Sequence, residues 1–166
     1  MDALWAPWRM EYILGENKKE KTGCIFCARL KRKQDRKDLI LWRSKNAMVI
    51  MNRFPYNNGH LMVMPNRHIG ELPKLKPGEV AEIHQLLSLA LNAMNHELRP
   101  DGFNIGLNLG KVAGAGVAGH IHWHIVPRWN GDTNFMPVIS ETKVMPEHLQ
   151  SLYQRLRRAF LEETQK

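Results

Sequence analysis

The sequence predicts a single domain that mixes β-strands with α-helices, and three observations carry that reading. Two stretches repeat apolar residues every three or four positions, and five shorter runs are rich in strand formers or alternate apolar with polar residues. At 166 residues, with 43% hydrophobic and 24% charged residues, the chain has the size and composition of one ordinary hydrophobic core. No internal repeat, low-complexity tract or Ser/Gly linker divides it, so residues 1–166 read as one domain.

In chain order, Leu39–Trp42 and Ala47–Met51 are strand runs separated by Arg43–Asn46, which suits a hairpin. Pro55, Asn57, Asn58 and Gly59 supply the next turn, and His60–Met64 then runs extended until Pro65 removes a ladder donor. Over Pro77–Leu98, Val80, Ile83, Leu87, Leu91, Met94 and Leu98 trace one helical stripe, with Pro77 near its start and Pro100 and Gly102 beyond its end. Phe103, Ile105, Leu107 and Leu109 alternate with Asn104, Gly106 and Asn108, the pattern of a strand with one buried face. A loop from Gly110 to Gly119 with four glycines leads into a further alternating strand, His120–Val126. A closing amphipathic helix from about Pro146 presents Leu149, Leu152, Leu156 and Phe160. Met48, Met51, Met62, Met64 and Met94 read as core filling, and His84, His96 and His148 as exposed or capping residues.

The formal net charge of +8 raises the question of nucleic acid, but its distribution argues against that partner. Residues 17–45 hold eleven Lys and Arg against three acidic residues, so the excess belongs to one segment around the cysteines and the remainder is balanced. That segment reads as a solvated surface loop, or as a positive field that steers a polyanionic ligand. No apolar run is long enough to cross a bilayer, and the opening residues do not resemble an export signal, so a cytoplasmic location without a membrane partner is expected. In that setting Cys24 and Cys27 point to a metal or redox role ahead of a structural disulfide.

The chemistry lies in His120-Ile121-His122-Trp123-His124. On a strand, side chains at i, i+2 and i+4 share a face, so three imidazoles line one side while Ile121, Trp123 and Ile125 face the other. One zinc held by all three rings is disfavoured, because strand rise sets the outer Cα atoms about 13 Å apart while zinc–nitrogen bonds are about 2.1 Å. The alternative makes His122 a nucleophile toward phosphorus: one ring nitrogen donates to a fixed acceptor and the other aims its lone pair at the substrate. His124 and the glycine loop would then stabilise charge on the phosphate oxygens. Residues 110–116 lack the Gly-Lys-Ser/Thr ending of a P-loop, but their backbone amides can still cradle phosphate.

The run His120–Val126 resembles the signature of the histidine triad (HIT) family, His-x-His-x-His followed by two apolar residues. Asn52, Gly59-His60, Pro65, Arg67-His68, the long helix and Asn108 follow in the expected order, so the resemblance spans roughly residues 24–129. It implies an α+β fold with a mainly antiparallel five-stranded sheet, one long central helix and a C-terminal helix, usually paired as a homodimer. It also implies transfer or hydrolysis of nucleotidyl groups through a nucleotidyl-histidine. Trp5, Trp8, Gly23–Cys27 and the stretch from Arg128-Trp129 to Asn134-Phe135-Met136 look like a bacterial branch that includes diadenosine tetraphosphate phosphorylases.

Carried over by position, the resemblance makes His122 the nucleophile, gives His124 a contact to the same phosphate, and sets His60 beside the triad. Asn52 would contact the ribose and Asn108 would lie near the phosphates, beside the loop whose glycines, Gly114 and Gly116 among them, offer a backbone cradle for phosphate. The chain has Gly116 and Val117 where relatives often carry Gln and Ser or Thr, so backbone groups would have to substitute. His124, in place of glutamine, argues against a uridylyltransferase. Zinc-bearing relatives imply a structural Zn2+ site of Cys24, Cys27, His68 and His120. The leading expectation is therefore an enzyme acting on a dinucleoside polyphosphate or nucleoside phosphate derivative, with phosphate or water as acceptor. The rival is a nucleotide-binding regulatory protein with little turnover.

Overall fold

The computed structural model describes residues 23–132 and 147–165. The chain runs through α1 (Ile25–Arg32), α2 (Asp35–Asp38), β1 (Ile40–Arg43), β2 (Ala47–Met51), β3 (Leu61–Pro65), α3 (Pro77–Leu98), β4 (Gly102–Leu107), β5 (Trp123–Arg128) and α4 (Leu149–Glu163). Among the described residues the strands form one five-stranded sheet in the order β1-β2-β3-β5-β4, every pairing antiparallel. This is the α+β architecture expected. Trp5, Trp8, Asn134–Met136, Pro146 and the lysines at 18, 19 and 21 lie outside the described residues.

Every residue of β2 and β3 is buried, which explains their unbroken apolar runs: strands covered on both faces have no solvent side to mark with polar residues. Met48, Met51, Met62, Met64 and Met94 are all in the core. Ile83, Leu86, Ala90, Ala93 and Met94 of α3 join Leu152, Tyr153, Leu156 and Phe160 of α4 there. Burying each large side chain stabilises the fold by about 1.5–3 kcal/mol. α4 starts from His148, whose ring accepts the Gln150 N–H at 3.3 Å, the capping role expected of that histidine.

Four expectations are corrected. The α3 stripe turns toward Leu86, Ala90 and Ala93, leaving Val80 50% exposed, because the helix packs on both the sheet and α4 and small alanines permit close approach. The apolar face of β4 is not buried: Ile105 is 45% and Leu109 48% exposed, because β4 is an edge strand and ends at Leu107. β5 begins at Trp123, so His120–His122 precede the ladder. There the His120 N–H closes a turn on the Val117 carbonyl and the Ile121 N–H bonds the Ile69 carbonyl. The described part of the basic segment is not a solvated loop but α1, α2 and β1. Arg29 is buried, and Arg32 and Arg43 pair with Asp38 and Asp35 at 2.9 and 2.8 Å.

Two glycines bring chain segments close enough to build the site. Gly59 has φ +78°, and a Cβ there would meet Leu98 Cδ1 at 2.7 Å and Pro127 Cγ at 3.3 Å. The odd-numbered side of β5 therefore faces α3, and the even-numbered side carrying His124 faces away from it. At Gly70 a Cβ would strike the Ala118 carbonyl at 2.7 Å, so only glycine lets the chain after β3 lie against the approach to the histidines.

Candidate active site

His122 and His124 stand edge to face with ring centroids 4.9 Å apart. His124 sits in β5 between Met62 of β3 and Gly106 of β4, and Gly106 leaves open space beside it. Phe26 of α1, itself buried, packs on His120 at 5.4 Å and on His122 at 5.1 Å. The three imidazoles form a row but do not share one partner: His120 turns to the cysteines, and the other two remain together.

The His122 Nδ1–H donates to the His120 carbonyl at 2.8 Å, which places the ring's lone pair on Nε2. Burial holds its pKa below the ordinary histidine value, so the ring is neutral at pH 7. A neutral ring with one nitrogen pinned and the other lone pair available is the arrangement a nitrogen nucleophile needs.

The state of His124 follows from its neighbours. His60 Nδ1 receives the Tyr56 main-chain N–H at 3.0 Å and faces the Asn52 side-chain nitrogen at 3.2 Å. Asn52 Oδ1 is occupied by the Phe54 N–H, so its nitrogen end is the donor toward His60. With Nδ1 an acceptor, the His60 proton is on Nε2 and donates to His124 Nδ1 across 2.9 Å. That leaves the His124 proton on Nε2 as a directed donor. Burial, then the neighbouring His122, lowers the His124 pKa to about 4, so this donor is a neutral imidazole.

Cys24, at the start of α1, and Cys27, in its first turn, meet His68 and His120 in one cluster. One ligand atom from each lies within 4.8 Å of the others. His120 Nδ1 is 3.3 Å from Cys24 Sγ and 3.6 Å from Cys27 Sγ, and His68 Nδ1 is 3.5 Å from Cys27 Sγ. Zinc–sulfur and zinc–nitrogen bonds of about 2.3 and 2.1 Å at tetrahedral angles require sulfur–nitrogen edges of about 3.6 Å, so the donor set fits a small tetrahedral ion. The Pro65 carbonyl takes the His120 Nε2–H at 2.8 Å, which fixes the ring with Nδ1 turned toward the thiols. The four residues could hold a metal ion.

Asn108, Gly114 and Gly116 lie in the β4–β5 loop, and among the described residues no hydrogen bond joins them to the histidines. Gly114 has φ +92°, and its N–H closes a turn on the Lys111 carbonyl at 3.0 Å, so that amide is already engaged. Asn108 Nδ2 lies 3.5 Å from where a Gly114 Cβ would sit. His84 and His96 are exposed on α3, far in sequence from the site elements. Sequence reasoning missed Tyr56, whose ring lies 4.6 Å from His60 and 5.7 Å from His124, and Phe26. The signal for Tyr56 was its place in the turn Pro55-Tyr56-Asn57-Asn58-Gly59-His60; the signal for Phe26 was its position between the cysteines.

The HIT domain family matches residues 33–131. The chain is 38% identical over 154 residues to an AP-4-A phosphorylase of Mycobacterium tuberculosis, covering 90% of this chain and 79% of that protein. A bis(5'-nucleosyl)-tetraphosphatase (asymmetrical) of Schizosaccharomyces pombe is 29% identical over 115 residues, covering 69% of this chain and 63% of that protein. Among solved structures, a zinc-bound histidine triad family protein from Mycobacterium smegmatis superposes with a TM-score of 0.69 at 27% identity, covering 86% of this chain and 96% of that one. Sequence, fold and the row of imidazoles agree, and the chain belongs to the HIT domain family.

Proposed function

We propose that this protein is an enzyme that cleaves dinucleoside polyphosphates of the diadenosine tetraphosphate type through a nucleotidyl-His122 intermediate. The single observation that carries the reading is the His122 ring, neutral and pinned through Nδ1 to the His120 carbonyl at 2.8 Å, with Nε2 left to attack. The likeness to an AP-4-A phosphorylase supports the substrate class. Nε2 attacks the α-phosphorus, a P–N bond forms, and the bond to the bridging oxygen breaks, releasing the nucleoside polyphosphate. The ring becomes cationic, and the charge is shared through Nδ1–H with the His120 carbonyl. The His124 Nε2–H donates to a phosphate oxygen as negative charge grows there. Inorganic phosphate or water then attacks the same phosphorus, the P–N bond breaks, and His122 returns to its neutral form.

His60 orients His124 in this reading. Asn52 retains a ribose contact only through its second amide hydrogen or second oxygen lone pair, since His60 and the Phe54 N–H already use one of each. Asn108, Gly114 and Gly116 border the phosphates, with Gly116 and the amides after it as donors in place of the missing side chains. The two-sulfur, two-nitrogen cluster suits zinc, which would act as a structural ion fixing α1 and His120 and take no part in the chemistry. The exposed apolar edge of β4 supports a homodimer. Free cysteines poised on a metal cluster support the reducing cytoplasm.

The test is product analysis with labelled diadenosine tetraphosphate. An acid-labile nucleotidyl adduct on His122 is expected, with ATP and ADP as products when phosphate is present and ATP and AMP without it. Binding without adduct or turnover overturns the enzyme in favour of a regulatory nucleotide binder.

A further inference from the structure

Tyr56 makes two different contacts with the same pair of imidazoles. Its ring packs against both, tilted 34° to His60 and 29° to His124, with centroids at 4.6 and 5.7 Å. Its main-chain N–H is one of the donors that make His60 Nδ1 an acceptor. The turn that carries it is rigidly tied. Asn57 donates its side-chain N–H groups to the Pro127 carbonyl at 3.0 Å and to Asp132 at 2.9 Å, the Asn58 N–H caps Asn57 Oδ1, and the His60 N–H returns to the Asn57 carbonyl. Asp132 in turn accepts from Arg128 and from the Trp129 N–H, so the turn is fastened to the far end of the strand that bears His124. Gly59 fits because its φ of +78° favours glycine and a Cβ there would crowd Leu98 and Pro127.

An aromatic ring 39% exposed contributes little to a core, so its placement over two bonded imidazoles calls for another explanation. The His60–His124 bond is the one that decides which nitrogen of His124 carries the proton. Water entering that 2.9 Å contact could bond either ring separately and release His124 to the other tautomer, with its lone pair and not its N–H toward the phosphate. A ring packed against both imidazoles would exclude that water and restrain both rings against rotation.

We propose that Tyr56 is a positioning residue of the nucleotidyl transfer: its ring shields and aligns the His60–His124 pair, and its N–H fixes the direction of the proton between them. The role of His124 as phosphate donor rests on the function proposed above; the state of the histidine pair does not.

Proton and nitrogen NMR of the full chain, with kinetics on diadenosine tetraphosphate, tests this. In the wild type the His60 Nε2 proton should give a downfield resonance that survives in water, and His124 should show a single Nε2–H tautomer. In Tyr56→Ala that resonance should be lost to exchange and His124 should become a tautomer mixture. kcat should fall about 10- to 100-fold with KM changed less than about 3-fold, as misalignment of a group in the transition state requires. Tyr56→Phe should restore the resonance and most of the lost kcat, since the ring face does the shielding. Tyr56→Leu, which fills similar space without a flat face, provides a folded comparison if the alanine variant unfolds, and should resemble alanine in both readouts. Persistence of the resonance and of kcat in a folded Ala or Leu variant overturns the proposal, as does failure of Phe to restore them. If the wild type does not turn over the dinucleotide, the function fails while the NMR comparison still decides the role of Tyr56.

Discussion

The His122 Nδ1–H and the His120 carbonyl, 2.8 Å apart, tie the proposed nucleophile to a residue whose own ring belongs to the Cys24, Cys27, His68 and His120 cluster. One residue thus serves two neighbours: its carbonyl sets the direction of His122, while its Nδ1 faces Cys24 and Cys27. His120, in that cluster, and His122 are two positions apart in the chain, and Phe26 packs across both rings.

Replacing His122 should separate folding from chemistry. His122→Asn keeps a polar group of similar reach but its amide nitrogen lone pair is delocalised and not nucleophilic, so turnover of diadenosine tetraphosphate should fall by about 10³-fold or more. The circular dichroism spectrum and Tm should stay near those of the wild type. Substantial residual kcat, or an adduct still formed at another residue, refutes the assignment.

The acid side of the reaction should be unusually low for a histidine site. Burial first, and the neighbouring His122 second, hold the His124 pKa at about 4. The ring therefore stays neutral, and able to accept from His60, as pH falls through the ordinary histidine range, and loses that capacity only near pH 4. Because the unfolded ring binds its proton near pH 6.5, stability falls as pH drops from there toward about 4 and gains no further penalty from this group below it. An NMR titration of the His124 ring with a midpoint near 6.5 contradicts this.

Metal content can be read directly. Elemental analysis of the purified protein should find about one ion per chain, expected to be zinc, and Cys24→Ser should lose it. A chelator should lower Tm, and excess ion should restore it, because an ion bound only by the folded chain stabilises it by mass action. His122 turnover should decline with the ion as the His120 anchor loosens. A metal-free wild type with full stability rejects the cluster as a binding site.

Much of this was legible in local spacing. The three alternating histidines, the Cys24/Cys27 pair, the long helix and the five strands follow from periodicities that side chains impose on their own segment. The four-residue metal set came from family resemblance, and the structure brings those residues within 4.8 Å of one another. Tertiary placement was not legible. Ile105 and Leu109 alternate as a half-buried strand does, yet β4 is the edge strand of the described sheet and both side chains stay exposed. Tyr56 reads as an ordinary turn residue until β5 is set beside that turn. The start of β5 shifts because Ile121 bonds Ile69, a partner some fifty residues earlier that no local pattern announces.

Glu79 gives a stability prediction remote from the site. It is buried at the start of α3, accepts from Arg67 at 2.7 Å and caps the Lys76 N–H at 2.8 Å, and the Arg67 bond above all holds its pKa at about 2. A carboxylate with a lowered folded pKa stabilises above its unfolded pKa of about 4.3 and loses that contribution as pH falls toward the folded value. Glu79→Gln should therefore have a lower Tm than the wild type at pH 7, and the two should converge between about pH 4 and pH 2. A pH-independent gap in Tm contradicts the pairing.

The exposed edge of β4 makes the oligomeric state a sharp test. Ile105 of β4 at 45%, with Leu109 at 48% and Val112 fully exposed just beyond it, set apolar side chains at the outer edge of the sheet formed by the described residues. An edge of that kind invites pairing with a second β4, which would extend the sheet and cover the apolar residues at once. Sedimentation should show a dimer at micromolar concentration, and Ile105→Glu should shift it to monomer, since each pairing would bring a buried carboxylate from both copies. His122 adduct formation in the monomeric variant would show that the two active sites work independently, whereas a wild type that sediments as a monomer removes the dimer altogether.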